Sequence, residues 1–429
     1  MLRKVCTLVL TLALFLSLTV ACFADEVVLN VWTGLAMDRG FPEFVEAFEA
    51  ENPGIKVNHT RFVNDDTGNT KLETALLAGE PIDVYFSYGI PRLAKRAEAG
   101  LAEELTPLLE KFGISLEEMV GTDTFYGPDG KVYGIPAVSE PTVIMANERA
   151  FLDAGIPIPT KWTVDEFRDI AKKLTKQIGN RTRYGVYGIL EIARMRLGPN
   201  YWYNDEGMSN FDHPAFREQW ELAGLMMHED KSIFPHTEVL ARNLRVYPQD
   251  VLVNEEAAMM IGGTWLITLF SNLEQYPRDW RIAFLPLPVP EEGKVFYNPG
   301  SKGQHLCISP RSENKEAAWK FVEYWLAHFS DYRGRIPTWA TANREKAIEL
   351  MLRGNEGYDP HKLYDVESFH RVVFSPDMMM SYDTITTAAA QIQQIVQEET
   401  DTFLIGEQGL DQMLSSMKRR ADSAIRRAR

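Results

Sequence analysis

The sequence predicts an α/β fold built as two lobes. Strand-like and helix-like segments alternate from residue 27 onward, and this order implies a largely parallel sheet with helices on its faces. A second α/β unit starts near residue 157. The chain has 429 residues, of which 45% are hydrophobic, and this is more than one compact core usually holds. We therefore expect two lobes, each with its own sheet.

The first unit shows the alternation most clearly. Phe41, Phe44 and Phe48 fall on one face of a helix, and Asn52-Pro53-Gly54 ends that helix. The remaining predicted segments are strands at 27–32, 55–62 and 82–86 and helices at 70–78 and 93–99. Together they predict a β-α-β-α-β unit with a further helix behind it.

The second unit begins with a helix-capping signal. Thr163 and Glu166 have the spacing of a capping box, in which each side chain accepts a hydrogen bond from the other residue's backbone amide. A later core helix is expected around 318–325. Two stretches, 136–141 and the proline-rich 285–290, are predicted to cross between the lobes.

The N-terminus has the pattern of a secretory signal peptide over residues 1–24. A basic start precedes an apolar run at 5–20, and small residues follow. The run is shorter than the about 20 apolar residues of a membrane span, and an uncleaved anchor is the alternative. We expect cleavage after Ala24, with a lipid anchor on Cys22 left open. The exported chain would then act in the periplasm or at the cell surface.

Composition and charge exclude several functions. Cys307 would be the only cysteine left after residues 1–24 are removed, so we expect no intrachain disulfide. The net charge of −15 argues against nucleic acid and anionic membranes as partners. One basic cluster stands apart, and we interpret it as the solvated face of a final helix, with a binding patch as the alternative. Its members are Lys418, Arg419, Arg420, Arg426, Arg427 and Arg429.

Catalytic signatures are absent from the sequence. It contains no nucleophile elbow, phosphate loop, H-E-x-x-H zinc motif or dinucleotide fingerprint, and its eight histidines show no metal-ligand spacing. We expect neither enzymatic activity nor a metal or other cofactor. A secreted carbohydrate-active enzyme remains the alternative, because the paired carboxylates of a glycosidase meet in space and not in sequence.

Aromatic residues at the ends of predicted elements indicate a binding site. Trp32 and Tyr88 follow the first and third strands, where open α/β folds place ligands. Trp202 lies in a polar loop, and Trp265 follows Gly262-Gly263-Thr264, where the backbone can approach a ligand closely. Such rings stack on the apolar faces of sugars, while amides and carboxylates bind the hydroxyls. The alternative for each ring is a place in the core.

Seven short motifs follow one another along the chain. They lie at 78–84 (AGEPIDV), 132–136 (VYGIP), 147–167, 256–265 (EAAMMIGGTW), 285–288 (LPLP), 316–321 (EAAWKF) and 334–338 (GRIPT). In this order they resemble the extracellular solute-binding proteins of the family that includes maltose-binding protein. The resemblance covers nearly all of the chain after the signal region.

This resemblance implies a periplasmic-binding-protein-like fold, in which two α/β lobes close like a hinge around a ligand cleft. The implied first lobe comprises residues 25–139 and the return segment 296–340. The implied second lobe comprises residues 140–295 and a helical part at 341–429.

The resemblance also extends the set of candidate ligand-binding residues. Ser87 would lie beside Tyr88, and Gly303 and Gln304 would open the return into the first lobe. Glu140 and Asn298 would lie in the crossing segments, where bracing the hinge is their alternative role. The complete set is Trp32, Ser87, Tyr88, Glu140, Trp202, Trp265, Asn298, Gly303, Gln304 and Arg335.

The predicted function is capture without chemistry. The resemblance implies the substrate-binding component of an ABC importer, which encloses a sugar and delivers it to a membrane permease. We expect a monomer whose partners are the solute and the permease, with no nucleic acid. Within binding, the alternative is another solute, such as a polyamine or a glycerol phosphate, for which Arg335 would serve.

Overall fold

The computed structural model describes residues 26–38, 40–121, 130–353 and 358–429. The predicted signal region lies outside these residues. Among the described helices, none has both the length and the apolar character that a membrane span needs.

The regular elements are numbered in chain order. The strands are β1 (Val27–Thr33), β2 (Ile55–Arg61), β3 (Val84–Ser87), β4 (Ile135–Glu140), β5 (Thr142–Asn147), β6 (Lys176–Ile178), β7 (Arg181–Tyr187), β8 (Ala257–Gly263), β9 (Ile282–Leu285), β10 (Tyr297–Asn298), β11 (Ser301–Ile308) and β12 (Met379–Met380). The helices are α1 (Phe41–Glu51), α2 (Asp66–Ala78), α3 (Ile90–Glu98), α4 (Thr106–Phe112), α5 (Leu116–Val120), α6 (Glu148–Asp153), α7 (Val164–Leu174), α8 (Ile192–Leu197), α9 (Pro214–Gly224), α10 (His236–Ala241), α11 (Gln249–Val253), α12 (Trp265–Phe270), α13 (Lys315–His328), α14 (Arg344–Arg353), α15 (Pro360–Leu363), α16 (Val366–Val373), α17 (Ala389–Leu404) and α18 (Leu410–Ala428).

Ten of the described strands form two five-stranded sheets, one in each lobe, and β10 pairs with β12. The first has the order β2-β1-β3-β11-β4, and the second has the order β6-β7-β8-β5-β9. β1 runs parallel to β2 and β3, and β7 runs parallel to β8, whereas β5 and β11 are antiparallel to their neighbours. The predicted two-lobed α/β fold is confirmed. The sheets are mixed because β5 and β11 each arrive from the other lobe.

Aromatic side chains hold α1 and α13 against the first sheet. The rings of Phe41 and Phe44 stand edge-on to Trp325, with centroids 5.4 and 4.9 Å away. Trp325 also contacts Phe86 of β3, with the centroids 4.8 Å apart. The helical spacing predicted for these two segments therefore matches one shared core, in which each buried large ring contributes about 1.5–3 kcal/mol.

The predicted capping box begins α7 in the second lobe. The Thr163 hydroxyl accepts a hydrogen bond from the Glu166 amide at 3.3 Å, and the Glu166 carboxylate accepts one from the Thr163 amide at 2.7 Å. A cap of this kind stabilises a helix by about 0.5–2 kcal/mol. It also fixes where α7 starts, so that Phe167 is buried against the second sheet.

Three segments cross between the lobes. The first is at Pro141, because β4 ends in the first sheet and β5 begins in the second. The second lies between β10 and β11. The third follows α13, where Ile336 accepts a 2.8 Å hydrogen bond from the backbone amide of Ser139.

One predicted crossing is wrong. The proline-rich stretch 285–290 stays on the second lobe, where Pro286 accepts a 2.8 Å hydrogen bond from the Trp162 indole. The Val289 amide donates to the Trp162 carbonyl at 2.9 Å, and the Val289 carbonyl accepts from Val164. The stretch runs along the residues that precede α7 and lies at the edge of the lobe. Few backbone N–H donors are needed there, so prolines, which lack this donor, are tolerated.

A C-terminal segment contacts both lobes, and we call residues 379–389 the strap. The Tyr382 hydroxyl lies 2.9 Å from the hydroxyl of Ser139, and Ile385 packs in the core of the first lobe. Ala388 packs in the core of the second lobe with α17 and α18. The strap therefore adds side chains to the core of the first lobe. The sequence assigns this part of the chain, 341–429, to the second lobe.

Candidate functional site

Residues of both lobes meet where the strands reach the crossings. A Cβ atom at Gly263, the last residue of β8, would lie 3.9 Å from the Cβ of Glu140 at the end of β4. Arg335 and the hydroxyl of Tyr247 also lie close enough to affect the pKa of Tyr88, which follows β3. Ligands of open α/β folds bind at the carboxyl ends of parallel strands. Both β3 and β8 end at this position. This cleft is the candidate site.

Tyr88 is held rigidly on the first-lobe side of the cleft. Its hydroxyl accepts a 2.8 Å hydrogen bond from the backbone amide of Gly34. A Cβ at Gly34 would lie 2.8 Å from that hydroxyl oxygen, so glycine is required for the approach. Burial raises the pKa of Tyr88 well above its usual range, which keeps the hydroxyl protonated and able to donate.

Glu140 and Arg335 form an ion pair on the floor of the cleft. The Arg335 guanidinium donates to Oε1 of Glu140 at 2.9 Å. The Glu140 side chain is 16% exposed and the Arg335 side chain is 10% exposed. Burial raises the pKa of Glu140, and Arg335 opposes the rise. Oε2 lies against the backbone of Gly303 and accepts no hydrogen bond from the described residues. It is therefore available to a ligand donor.

Trp265 opens α12 beside this pair. A Cβ at Gly263 would lie 2.8 Å from Cδ1 of the indole, so the ring edge rests on the glycine backbone. The ring is half-buried, and Tyr247 stands edge-on to it with the centroids 6.3 Å apart. Trp265, Gly303 and Glu140 are thus brought together around one surface.

Tyr247 belongs to this site although the sequence analysis missed it. It lies in the second lobe and is 39% exposed, and its hydroxyl approaches the backbone of Asn64 in the first lobe. Burial raises its pKa, and the charge of Arg61 opposes the rise. The ring therefore spans the mouth of the cleft. Its only sequence signal is an aromatic residue in a polar loop before a proline.

Glu191 is a second missed residue, placed four positions after the end of β7. Burial raises its pKa, with the guanidinium of Arg194 4.0 Å away as the main opposing charge, although 43% of the side chain is exposed. The Arg194 guanidinium also donates to the Gly300 carbonyl at 3.3 Å, and this contact places Glu191 near the second crossing. Arg194 is held by Asp383 of the strap at 3.0 Å and covers the ring of Tyr201. Glu191 therefore offers a carboxylate from the second-lobe side.

Two predicted residues sit behind the first-lobe wall of the cleft. Trp32 is 8% exposed and packs in a first-lobe core, with the Lys71 ammonium 5.9 Å from the ring centroid. Ser87 is fully buried, and its hydroxyl accepts a 3.1 Å hydrogen bond from Arg96. Both help to shape the wall on which Tyr88 stands.

Two other predicted residues have protein partners elsewhere. The Asn298 amide bonds both backbone groups of Thr142, at 2.9 and 2.8 Å, and accepts from the Gly300 amide at 2.9 Å. It braces the first crossing against the second. Trp202 packs beside Tyr201, with centroids 5.5 Å apart, in the core around α9, α17 and α18.

Gln304 lies next to Gly303 in an unusual conformation. Its φ is 52°, a left-handed value that is costly for a residue with a side chain. The side chain is 5% exposed, and its Oε1 has no hydrogen-bond partner among the described residues. This buried acceptor without a partner lies on β11, which pairs with β4, and it is a candidate for a contact with ligand.

No group of metal-ligating side chains occurs among the residues that the structure describes. The cleft contains instead three aromatic rings, two carboxylates and one arginine. These groups can stack on an apolar surface and exchange hydrogen bonds with hydroxyls.

Known proteins share this architecture. A profile of bacterial extracellular solute-binding proteins matches residues 34–328. A Brucella abortus (strain 2308) chain named as a binding protein is 27% identical over 330 residues, 72% of this chain and 73% of that one. The maltotriose-binding protein of Pyrococcus abyssi (strain GE5 / Orsay) is 25% identical over 333 residues, 75% of this chain and 63% of that one. An ABC substrate-binding protein of Listeria monocytogenes, solved in complex with cycloalternan, matches with a TM-score of 0.73 at 20% identity, over 93% of this chain and 99% of that one.

Proposed function

Because the chain belongs to the bacterial extracellular solute-binding protein family, we propose that it captures a sugar between its lobes and delivers it to the permease of an ABC importer. The observation that carries the proposal is that the indole of Trp265 and the side chain of Glu140 both lie against Gly263. A ring next to an acceptor matches the apolar face and the hydroxyl edge of a pyranose. A relative named for maltotriose and a structure solved with cycloalternan support a sugar.

Two carboxylates supply acceptors from different parts of the cleft. Glu140 offers its free Oε2 from the floor, and Glu191 offers a desolvated carboxylate from the second lobe. A buried polar group left without a partner costs about 1–3 kcal/mol, so an epimer that misplaces one hydroxyl would bind several-fold to a hundredfold more weakly.

The ion pair argues against charged solutes. A glycerol phosphate would need Arg335, but this guanidinium is already bound to Glu140. A polyamine would need unpaired carboxylates, and Arg335 neutralises the one on the floor. A neutral polyhydroxylated ligand can donate a hydrogen bond to Oε2 of Glu140 without separating the two charges.

We propose capture without turnover. The family and the relatives named above are binding proteins, and this supports capture alone. We also propose export by removal of residues 1–24, with cleavage after Ala24 or at Cys22 distinguished by the intact mass of the protein from its native envelope.

Thermal unfolding with a panel of sugars tests the proposal. A sugar at about 100 times its dissociation constant should stabilise the fold by about 2.7 kcal/mol, and calorimetric titration should then give one site per chain. Chromatography of the same mixtures should recover the sugar unchanged. A shift with spermidine or glycerol 3-phosphate and none with sugars would contradict the ligand class, and released shorter sugars would contradict capture. Uptake of the same sugar by cells without the gene tests delivery.

A further inference from the structure

The last helix, α18, carries an arginine stripe opposite its buried face. Its apolar face packs into the second lobe through Met413, Met417 and Ala424, among others. Arg419, Arg426 and Arg427 are exposed and stand at i, i+7 and i+8, spacings that share one face of a helix. We call these three residues the arginine stripe.

The stripe is not neutralised by neighbouring carboxylates. Arg426 and Arg427 make no ion pair or hydrogen bond with the described residues, and Arg419 donates only to the Ser416 hydroxyl at 3.2 Å. The next arginine along the helix behaves differently, since Arg420 pairs with Glu398 and Glu399 of α17. Three unpaired cations thus lie side by side on a chain of net charge −15.

A groove of about 440 Å³ runs between α17 and α18 beside the stripe. Hydrogen-bond donors line it, and no carboxylate does: Arg419, Arg420, Arg427, Ser423, Gln391 and Gln394 surround a floor of Ile395 and Ala424. A surface that offers several donors and positive charge suits phosphate oxygens.

We propose that the arginine stripe and this groove dock on the phosphate headgroups of an anionic phospholipid surface. Basic clusters are drawn to anionic membranes because each cation near the surface gains electrostatic energy. A protein partner is less well matched, since protein interfaces centre on apolar or aromatic residues. The exposed large hydrophobic side chains of the described chain lie outside α17 and α18. Docking through α18 would hold the protein at the membrane that contains the permease.

Sedimentation with lipid vesicles tests this inference. The protein is produced without residues 1–24, so that no acyl anchor contributes, and is mixed with vesicles of phosphatidylcholine alone or with phosphatidylglycerol added. We expect binding only to the anionic vesicles and its loss in high salt. The variant Arg419→Gln, Arg426→Gln, Arg427→Gln should bind about tenfold more weakly or worse. Arg427→Gln alone should bind several-fold more weakly and serves if the triple variant is unstable.

A matched control removes the same charge from another surface. Lys56, Lys111 and Lys315 are half-exposed lysines of the first lobe, each paired with a glutamate. Changing all three to Gln should leave vesicle binding intact. Equal loss in this control would overturn the inference, because net charge alone would then govern binding. Tighter binding to soluble polyglutamate than to anionic vesicles would also overturn it, in favour of an acidic protein partner.

Discussion

The guanidinium of Arg335 donates a 2.9 Å hydrogen bond to the carboxylate of Glu140, and this contact joins the third crossing to the first. The two residues are 195 positions apart in sequence. Because the pair lies on the floor of the candidate cleft, the groups that join the two crossings also present an acceptor to the proposed ligand.

Sugar affinity should depend on the ionisation of Glu140. Burial raises the pKa of this carboxyl, so it becomes protonated at a higher pH than an ordinary glutamate. We expect constant affinity near neutral pH and a fall on acidification before ordinary glutamates titrate. Glu140→Gln should weaken neutral-pH binding about tenfold, the loss of about 1.4 kcal/mol, and flatten the profile. Calorimetric titration across this pH range is the measurement, and an unchanged profile in the variant would contradict the role.

Trp265→Ala should remove a stacking surface. We expect sugar binding at least about tenfold weaker, which corresponds to about 1.4 kcal/mol. Stability should fall by less than the about 3–5 kcal/mol typical of a core aromatic residue. Titration and denaturant unfolding of the same variant separate the two effects, and Trp265→Phe should restore part of the affinity. Full affinity with a large stability loss would identify Trp265 as a core residue.

Tyr247→Phe should speed release of the ligand. The variant keeps the ring against Trp265 and loses the hydroxyl that approaches the Asn64 backbone across the cleft mouth. A hydrogen bond formed there when the lobes close would contribute about 0.5–1.5 kcal/mol, so the dissociation rate should rise about two- to tenfold. Stopped-flow fluorescence measures it. Tyr184→Phe, a second-lobe tyrosine that packs on Phe234, is the control. A change in the association rate alone would argue against a contact of Tyr247 that holds the lobes closed around the ligand.

His305 should make the fold sensitive to acid. The residue is fully buried beside the Ser87 carbonyl, and burial lowers its pKa to about 4. An unfolded histidine titrates near pH 6.5, so the unfolded state binds the extra proton between these values. The free energy of unfolding therefore keeps its full value above about pH 6.5. It decreases by about 2–3 kcal/mol as the pH falls toward 4. Urea unfolding at several pH values should show a shallower slope for His305→Asn, with exposed His328→Asn unchanged.

Local patterns predicted most of the first lobe. Apolar spacing located β1, α1 and β2 within a few residues, because periodicity reflects which face is buried. The same approach failed for 285–290, since prolines indicate stiffness and not which lobe a segment joins. It also missed the strap, whose contacts with Ser139 join residues far apart in sequence.

The predicted residues that line the candidate site are those whose chemistry coincides with an element end. Trp265 and Tyr88 follow strands, so topology alone brings them toward the cleft. Tyr247 and Glu191 lie in loops without periodicity, and only the folded chain places them there. The pairing of Arg335 with Glu140 was equally hidden, because a distant ion pair leaves no local pattern.

The strap also sets the order in which the chain can fold. The first lobe lacks β11 until residue 308 has been made, and its core lacks Ile385 until nearly the whole chain exists. Contacts of such large sequence separation form slowly, since loop closure precedes any gain in stability. A nascent chain therefore stays incomplete until late in synthesis.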